Sequence, residues 1–112
     1  VEVTLKLPGD ARKKVLKALR EELAELEGKA SRLRDEIRAY EEKYGLDSRE
    51  LVRLWDEALE RGEALDLDIP DLDLVEWRSL WELYQETLKE AGKLRAELDQ
   101  AEPGGQPAEV EA

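Results

Sequence analysis

Between Leu16 and Tyr44 the residues Leu16, Leu19, Leu23, Leu26, Ala30, Leu33, Ile37, Tyr40 and Tyr44 recur at strictly alternating spacings of three and four. A repeat averaging 3.5 holds one apolar stripe on one side of an α-helix, the signature of a coiled-coil seam. The pattern predicts a helix over residues 11–44, with Asp10 as its N-cap and Gly45 as the left-handed residue that closes it. About 34 residues at ~1.5 Å each make a rod of roughly 50 Å, too long for a small globule to cover. Gly28 falls on the outer side of the repeat and leaves the seam intact.

Before this stretch, Val1, Val3, Leu5 and Leu7 alternate with Glu2, Thr4 and Lys6 up to Pro8-Gly9, which predicts a β-strand over residues 1–7. After it, Asp47-Ser48-Arg49-Glu50 has the spacing of a capping box and opens a helix over 47–61, with Leu51, Val52, Leu54, Trp55, Ala58 and Leu59 on its apolar face. Leu65, Leu67 and Ile69 alternate with Asp66 and Asp68, a second strand-like segment over 65–69 able to pair with the first. Asp73-Leu74-Val75-Glu76 repeats the capping-box spacing and opens a helix over 74–100. Its inner face carries Leu74, Trp77, Leu80, Trp81, Tyr84, Leu88, Ala91, Leu94 and Leu98. Residues 102–112, rich in Pro, Gly and acid, form a flexible acidic tail. The expected fold is mainly α: a single helical domain over 1–101, in which a long heptad helix and two shorter helices make an antiparallel coiled coil or helical bundle, with a short N-terminal β-strand.

Composition narrows the chemistry. The chain has neither Cys nor His, which excludes thiol nucleophiles, disulfides, most zinc sites and His-based proton transfer. No pattern calls for a cofactor. The 29 acidic and 18 basic residues, rich in Glu and Arg, suit the ion-paired surface of a thermophile-like protein. The net charge of −11 is uneven, because residues 1–20 carry +4 and the remaining 92 carry −15. The longest apolar run is far too short for a membrane span, and residues 1–20 match neither a signal nor a transit peptide. A cytoplasmic location is therefore expected.

The charges flanking the heptad choose a direction for any partner helix. In a parallel homodimer Glu22 would face Glu27, Lys29 would face Arg34 and Glu36 would face Glu41, all repulsive. In an antiparallel homodimer the seam pairs Ala30 with Leu33, Leu26 with Ile37, Leu23 with Tyr40 and Leu19 with Tyr44. The flanks then become Arg20 with Glu41, Glu27 with Arg34, Glu22 with Lys43, and Lys29 with Glu36, all attractive. An antiparallel homodimer is thus expected, the alternative being that this helix packs on the two shorter helices of its own chain.

Three groups of residues are candidate sites. Asp66, Asp68, Asp71 and Asp73 form the densest carboxylate run and are weak metal candidates, since the order of residues fails the calcium-loop pattern, with Pro70 and Asp71 where an acid and a Gly are required. Together with the pair Glu22 and Glu25 and the pair Glu63 and Asp66, whose spacing resembles the acidic motifs of all-α nucleotide pyrophosphohydrolases, they define a lesser alternative, a magnesium-dependent hydrolase. Lys6, Arg12, Lys13, Lys14 and Lys17 are candidate DNA contacts, the alternative function being a DNA-binding regulator that uses the first strand and the basic start of the long helix. That helix runs on without the break a ribbon-helix-helix unit needs, which disfavours DNA. Trp77 and Trp81, one turn apart, are candidate anchors for a protein partner.

The opening Val3-Thr4-Leu5-Lys6-Leu7-Pro8 resembles the N-terminal strand of small prokaryotic antitoxins. The segment Tyr40-Glu41-Glu42-Lys43-Tyr44-Gly45-Leu46-Asp47-Ser48-Arg49-Glu50-Leu51, with Trp55, Asp73-Leu74-Val75-Glu76-Trp77 and Tyr84, is similar to small uncharacterised prokaryotic proteins of antitoxin-like type. The resemblance implies a basic head that contacts operator DNA and an acidic arm that covers a toxin-like protein. The expected function is accordingly a non-enzymatic, homodimeric protein-interaction module, antitoxin-like or regulatory.

Overall fold

The computed structural model describes residues 9–101. It contains three helices: α1 (Gly9–Tyr44), α2 (Ser48–Arg61) and α3 (Asp71–Ala101). The expected strand 1–7 and the expected acidic tail 102–112 lie outside the described residues. Among the described residues no helix is long and apolar enough to cross a membrane.

The helix ends follow from local chemistry, with three changes from the expected caps. Gly45 (φ 63°) closes α1, its N–H donating to the Glu41 carbonyl at 2.8 Å. Asp47 caps α2 by accepting from the Arg49 N–H at 2.7 Å. The reciprocal half of that box does not form, because Glu50 turns to Arg53, and Glu41 of α1 instead accepts from the free N–H of Ser48, the first residue of α2, at 2.9 Å. Gly62 (φ 69°) ends α2, and the Glu63 N–H reaches the Ala58 carbonyl at 2.8 Å. α3 starts three residues before the expected 74, with the Leu74 N–H bonded to the Pro70 carbonyl at 3.0 Å. Asp73 is thereby inside the first turn rather than at the cap, where its charge still favours the helix N-terminus. Asp10 likewise sits in the first turn of α1.

The expected strand over 65–69 does not form. Residues 63–70 are irregular, and the Ile69 N–H closes a tight turn onto the Leu67 carbonyl at 2.8 Å. The alternation of side chains is nevertheless used: Leu65, Leu67 and Ile69 pack against the helices, and Asp66 and Asp68 face solvent. One-sided burial of an extended connection produces the same period of two as a strand does.

The chain divides into two compact units. In the described part of the first, residues 9–28 and 87–101, α1 and α3 run antiparallel. Arg12 donates to the Ala101 carbonyl at 2.6 Å, and Glu27 pairs with Arg95. Leu16, Leu19, Leu23 and Leu26 are half-buried on α1, while Thr87, Ala91, Leu94 and Leu98 are buried on α3. The α3 seam therefore passes through Thr87, and Leu88, expected on the inner face, is 43% exposed.

The second unit, residues 29–86, holds the main core. Ile37, Leu51, Leu74 and Trp77 are buried at its centre, ringed by Tyr40, Tyr44, Leu46, Trp55 and the three apolar residues of the 63–70 connection. Here too α1 and α3 are antiparallel, Tyr40 bonding Glu76 and Tyr44 bonding Asp73.

Candidate functional site

Trp77 organises the second unit. It is fully buried, and the rings of Tyr40 and Tyr44 stack on it with centroids at 5.7 and 6.0 Å. Its indole N–H donates to Ser48 Oγ at 2.8 Å, and that hydroxyl donates to Glu41 Oε2 at 2.7 Å. A buried polar chain of this kind is stable because every donor finds an acceptor. Trp77, expected as a candidate partner anchor, is thus part of the core. Trp81 is half-buried against Tyr84 at 5.9 Å.

The phenols of α1 meet the carboxylates that the capping-box spacing had marked on α3. Tyr40 donates to Glu76 at 2.7 Å, and that bond, with burial and the negative charge of Glu76, pushes its pKa up to about 12. The bond to Asp73 raises Tyr44 in the same way, and Lys43 lies 3.6 Å from Asp73. Lys43 is itself held above its ordinary value, first by its hydrogen bond to Tyr44 and then by the charges of Tyr44 and Asp73. These polar contacts pin the start of α3 on the end of α1.

Among the described residues no group of three acidic side chains is placed to hold a cation. Asp66, Asp68 and Asp71 are exposed, and Asp73 is engaged by Tyr44 and Lys43.

Residues of the expected dimer seam are covered within the chain: Ala30, Leu33 and Ile37 are buried, and Tyr40 and Tyr44 pack on Trp77. Several flanking charges are also engaged at home. Glu27 meets Arg95, Glu41 meets Ser48, and Lys43 meets Asp73. Glu22 lines a shallow groove with Lys93 and Glu97, Lys29 is half-buried, Arg20 has a partner, and Arg34 and Glu36 are exposed.

Of the basic head, Lys6 lies outside the described residues. Arg12 bonds the last described carbonyl of α3, a cation placed where the C-terminal end of a helix favours one. Lys13, Lys14 and Lys17 are exposed on the first turns of α1.

A different surface stands out. α2, the 63–70 connection and the first turns of α3 form a groove of about 390 Å³, lined by Trp55, Ala58, Leu59, Ala64, Leu65, Leu74 and Val75 together with the acidic Glu63 and Asp71. Leu59 is 65% exposed and Val75 56%, and Leu72, one turn before Val75, is 76% exposed. Large apolar side chains grouped at the mouth of an apolar groove mark binding surfaces more often than isolated ones do. The signal for the groove in the sequence of α3 is Val75, which falls outside the inner stripe of that helix and yet is apolar.

Comparison with known proteins gives no family model that matches the chain, and no curated protein or solved structure that matches it.

Proposed function

We propose that the chain is a non-enzymatic protein-interaction module, antitoxin-like or regulatory in kind, that receives a protein partner in the groove between α2 and α3. The single observation that carries this is the exposure of Leu59 and Val75, two large apolar side chains that line an apolar groove. Burying two such side chains contributes on the order of 1.5 kcal/mol each or more toward association with a partner that covers them. The homodimeric form expected from the heptad is not part of the proposal, since Ala30, Leu33 and Ile37 of the seam are buried within the same chain.

The test is position-specific photo-crosslinking in the source cells, with a photoreactive residue at Val75 and, as control, at the exposed Arg38. A protein captured from Val75 but not from Arg38 is then purified and titrated against the full chain. The expected result is direct binding that weakens about tenfold or more in Leu59→Asp, an exposed position where the substitution leaves the fold intact. No adduct from Val75, equal adducts from both positions, or adducts only between copies of this chain would refute the proposal.

A further inference from the structure

Resting on that proposal, we infer that the groove takes a cationic amphipathic helix. The local charge is the ground for it. Residues 56–76, the stretch from which most of the groove's lining is drawn, contain nine acidic residues and one basic residue, Arg61, a net of −8 in a chain whose total is −11, and Glu63 and Asp71 are themselves in the lining. Arg61 is already held by Glu57 at 3.9 Å and Glu63 at 3.0 Å. From the neighbouring elements, Lys43 is committed to Asp73, and Arg78 to Asp56 and Glu82. Among the described residues Glu60, Asp66, Asp68 and Asp71 therefore have no base opposite them. All four are exposed.

An apolar groove with Glu63 and Asp71 in its lining, on a strongly acidic stretch of chain, is complementary to a helix whose one face is apolar and whose flanks carry Lys or Arg. The apolar face enters the groove at i, i+3 and i+4 positions, and the cations meet the acids of this stretch. Other occupants fit less well. Nucleic acid and anionic lipid surfaces are repelled by the same charge, and a second copy of this chain would bring a body of the same sign.

The experiment uses the purified full chain and three labelled synthetic peptides of roughly 18 residues: an amphipathic Leu/Lys helix, its Leu/Glu counterpart, and a Leu/Lys peptide of the same composition with the helical period scrambled. The amphipathic Leu/Lys peptide is expected to bind at least about tenfold more tightly than either of the others, and to weaken as salt rises past about 100 mM. Asp66→Lys combined with Asp71→Lys should cost about tenfold, whereas Asp35→Lys combined with Glu36→Lys, exposed acids of α1, should cost less than about threefold. Val75→Ser should also weaken binding about tenfold without altering the helical signal in circular dichroism. Equal binding of the Leu/Glu or scrambled peptide, or equal loss from the α1 substitutions, would overturn the inference. The two proposals fail separately. A partner captured at Val75 with no preference for the cationic helix removes the inference alone, and a chain that captures nothing in cells removes the interaction proposal whatever the peptides do.

Discussion

Removing the Ser48 hydroxyl tests the polar chain on which the second unit is built. Ser48→Ala keeps the backbone N–H of α2 bonded to Glu41 but leaves the indole N–H of Trp77, fully buried, without its acceptor. A buried donor left unsatisfied costs about 1–3 kcal/mol, so the variant should lose about 2 kcal/mol. Trp77→Phe removes the donor and part of a ring stacked between two phenols, at a cost of about 2–3 kcal/mol from lost contact and the space left behind. In the Trp77→Phe background, Ser48→Ala should then cost less than about 0.5 kcal/mol, because no indole donor remains to be stranded. The coupling between the two changes is therefore about 1.5 kcal/mol. Urea unfolding followed by tryptophan fluorescence measures it, since Trp55 and Trp81 lie in the same unit and report on it when Trp77 is replaced. If Ser48→Ala costs the same in both backgrounds, the hydrogen bond does not hold the core together and the account of Trp77 is wrong.

Stability should fall in alkali through the Tyr40, Tyr44 and Lys43 cluster. Folding raises all three pKa values, so their contribution is complete below the ordinary tyrosine value of 10.0 and is lost as pH rises through the raised values, for Tyr40 about 12. Tyr40→Phe combined with Tyr44→Phe should flatten that loss in a base titration followed by circular dichroism, an unchanged titration refuting it. In the first unit, Leu98→Ala should lower stability by about 2–4 kcal/mol and Leu88→Ala by less than about 1 kcal/mol, since only Leu98 is buried in the α3 seam. Thermal melting of the two variants compares them directly. Gly62→Ala should cost about 1 kcal/mol in urea unfolding, because Gly62 ends α2 at φ 69°, a conformation that a side chain disfavours.

Periodicity made the helices readable. The heptad of α1 and the apolar spacing of α3 correspond to partly or fully covered faces, and Gly45 marks the end of α1 as its position implied. What the pattern could not show is where each stripe finds its cover. In α3 the polar Thr87 occupies a seam position, so a count of apolar residues alone selects Leu88, one position off. In residues 65–69 alternation recorded which side of an extended segment is buried, and it carries no information on whether a strand lies alongside. The two capping-box spacings behaved similarly. Asp47 does cap, but Glu50 bonds Arg53 and the pair Asp73 and Glu76 bonds two tyrosines of α1. A carboxylate one turn into a helix satisfies the same spacing rule whether it turns to its own backbone or to a neighbour. The groove was the least legible feature, since it depends on how α2, the connection and α3 come together around apolar positions that no periodic stripe explains.

The α1 charges illustrate why a direction can be read when a partner cannot. Their alternation favours an antiparallel neighbour, and within each unit α3 is such a neighbour: Glu27 finds Arg95 in one, and Lys43 finds Asp73 in the other. A helix tethered on the same chain is present at an effective concentration on the order of millimolar, whereas a second copy competes at its free concentration. At micromolar protein that difference is roughly a thousandfold, about 4 kcal/mol, which the seam of a second copy would have to exceed before it displaced α3. Exposed ion pairs worth a few tenths of a kcal/mol each do not reach that figure. The part of the heptad that lies in the second unit is covered within the chain, and the exposed apolar side chains Leu59 and Val75, which line the groove, are the ones the proposed partner would cover.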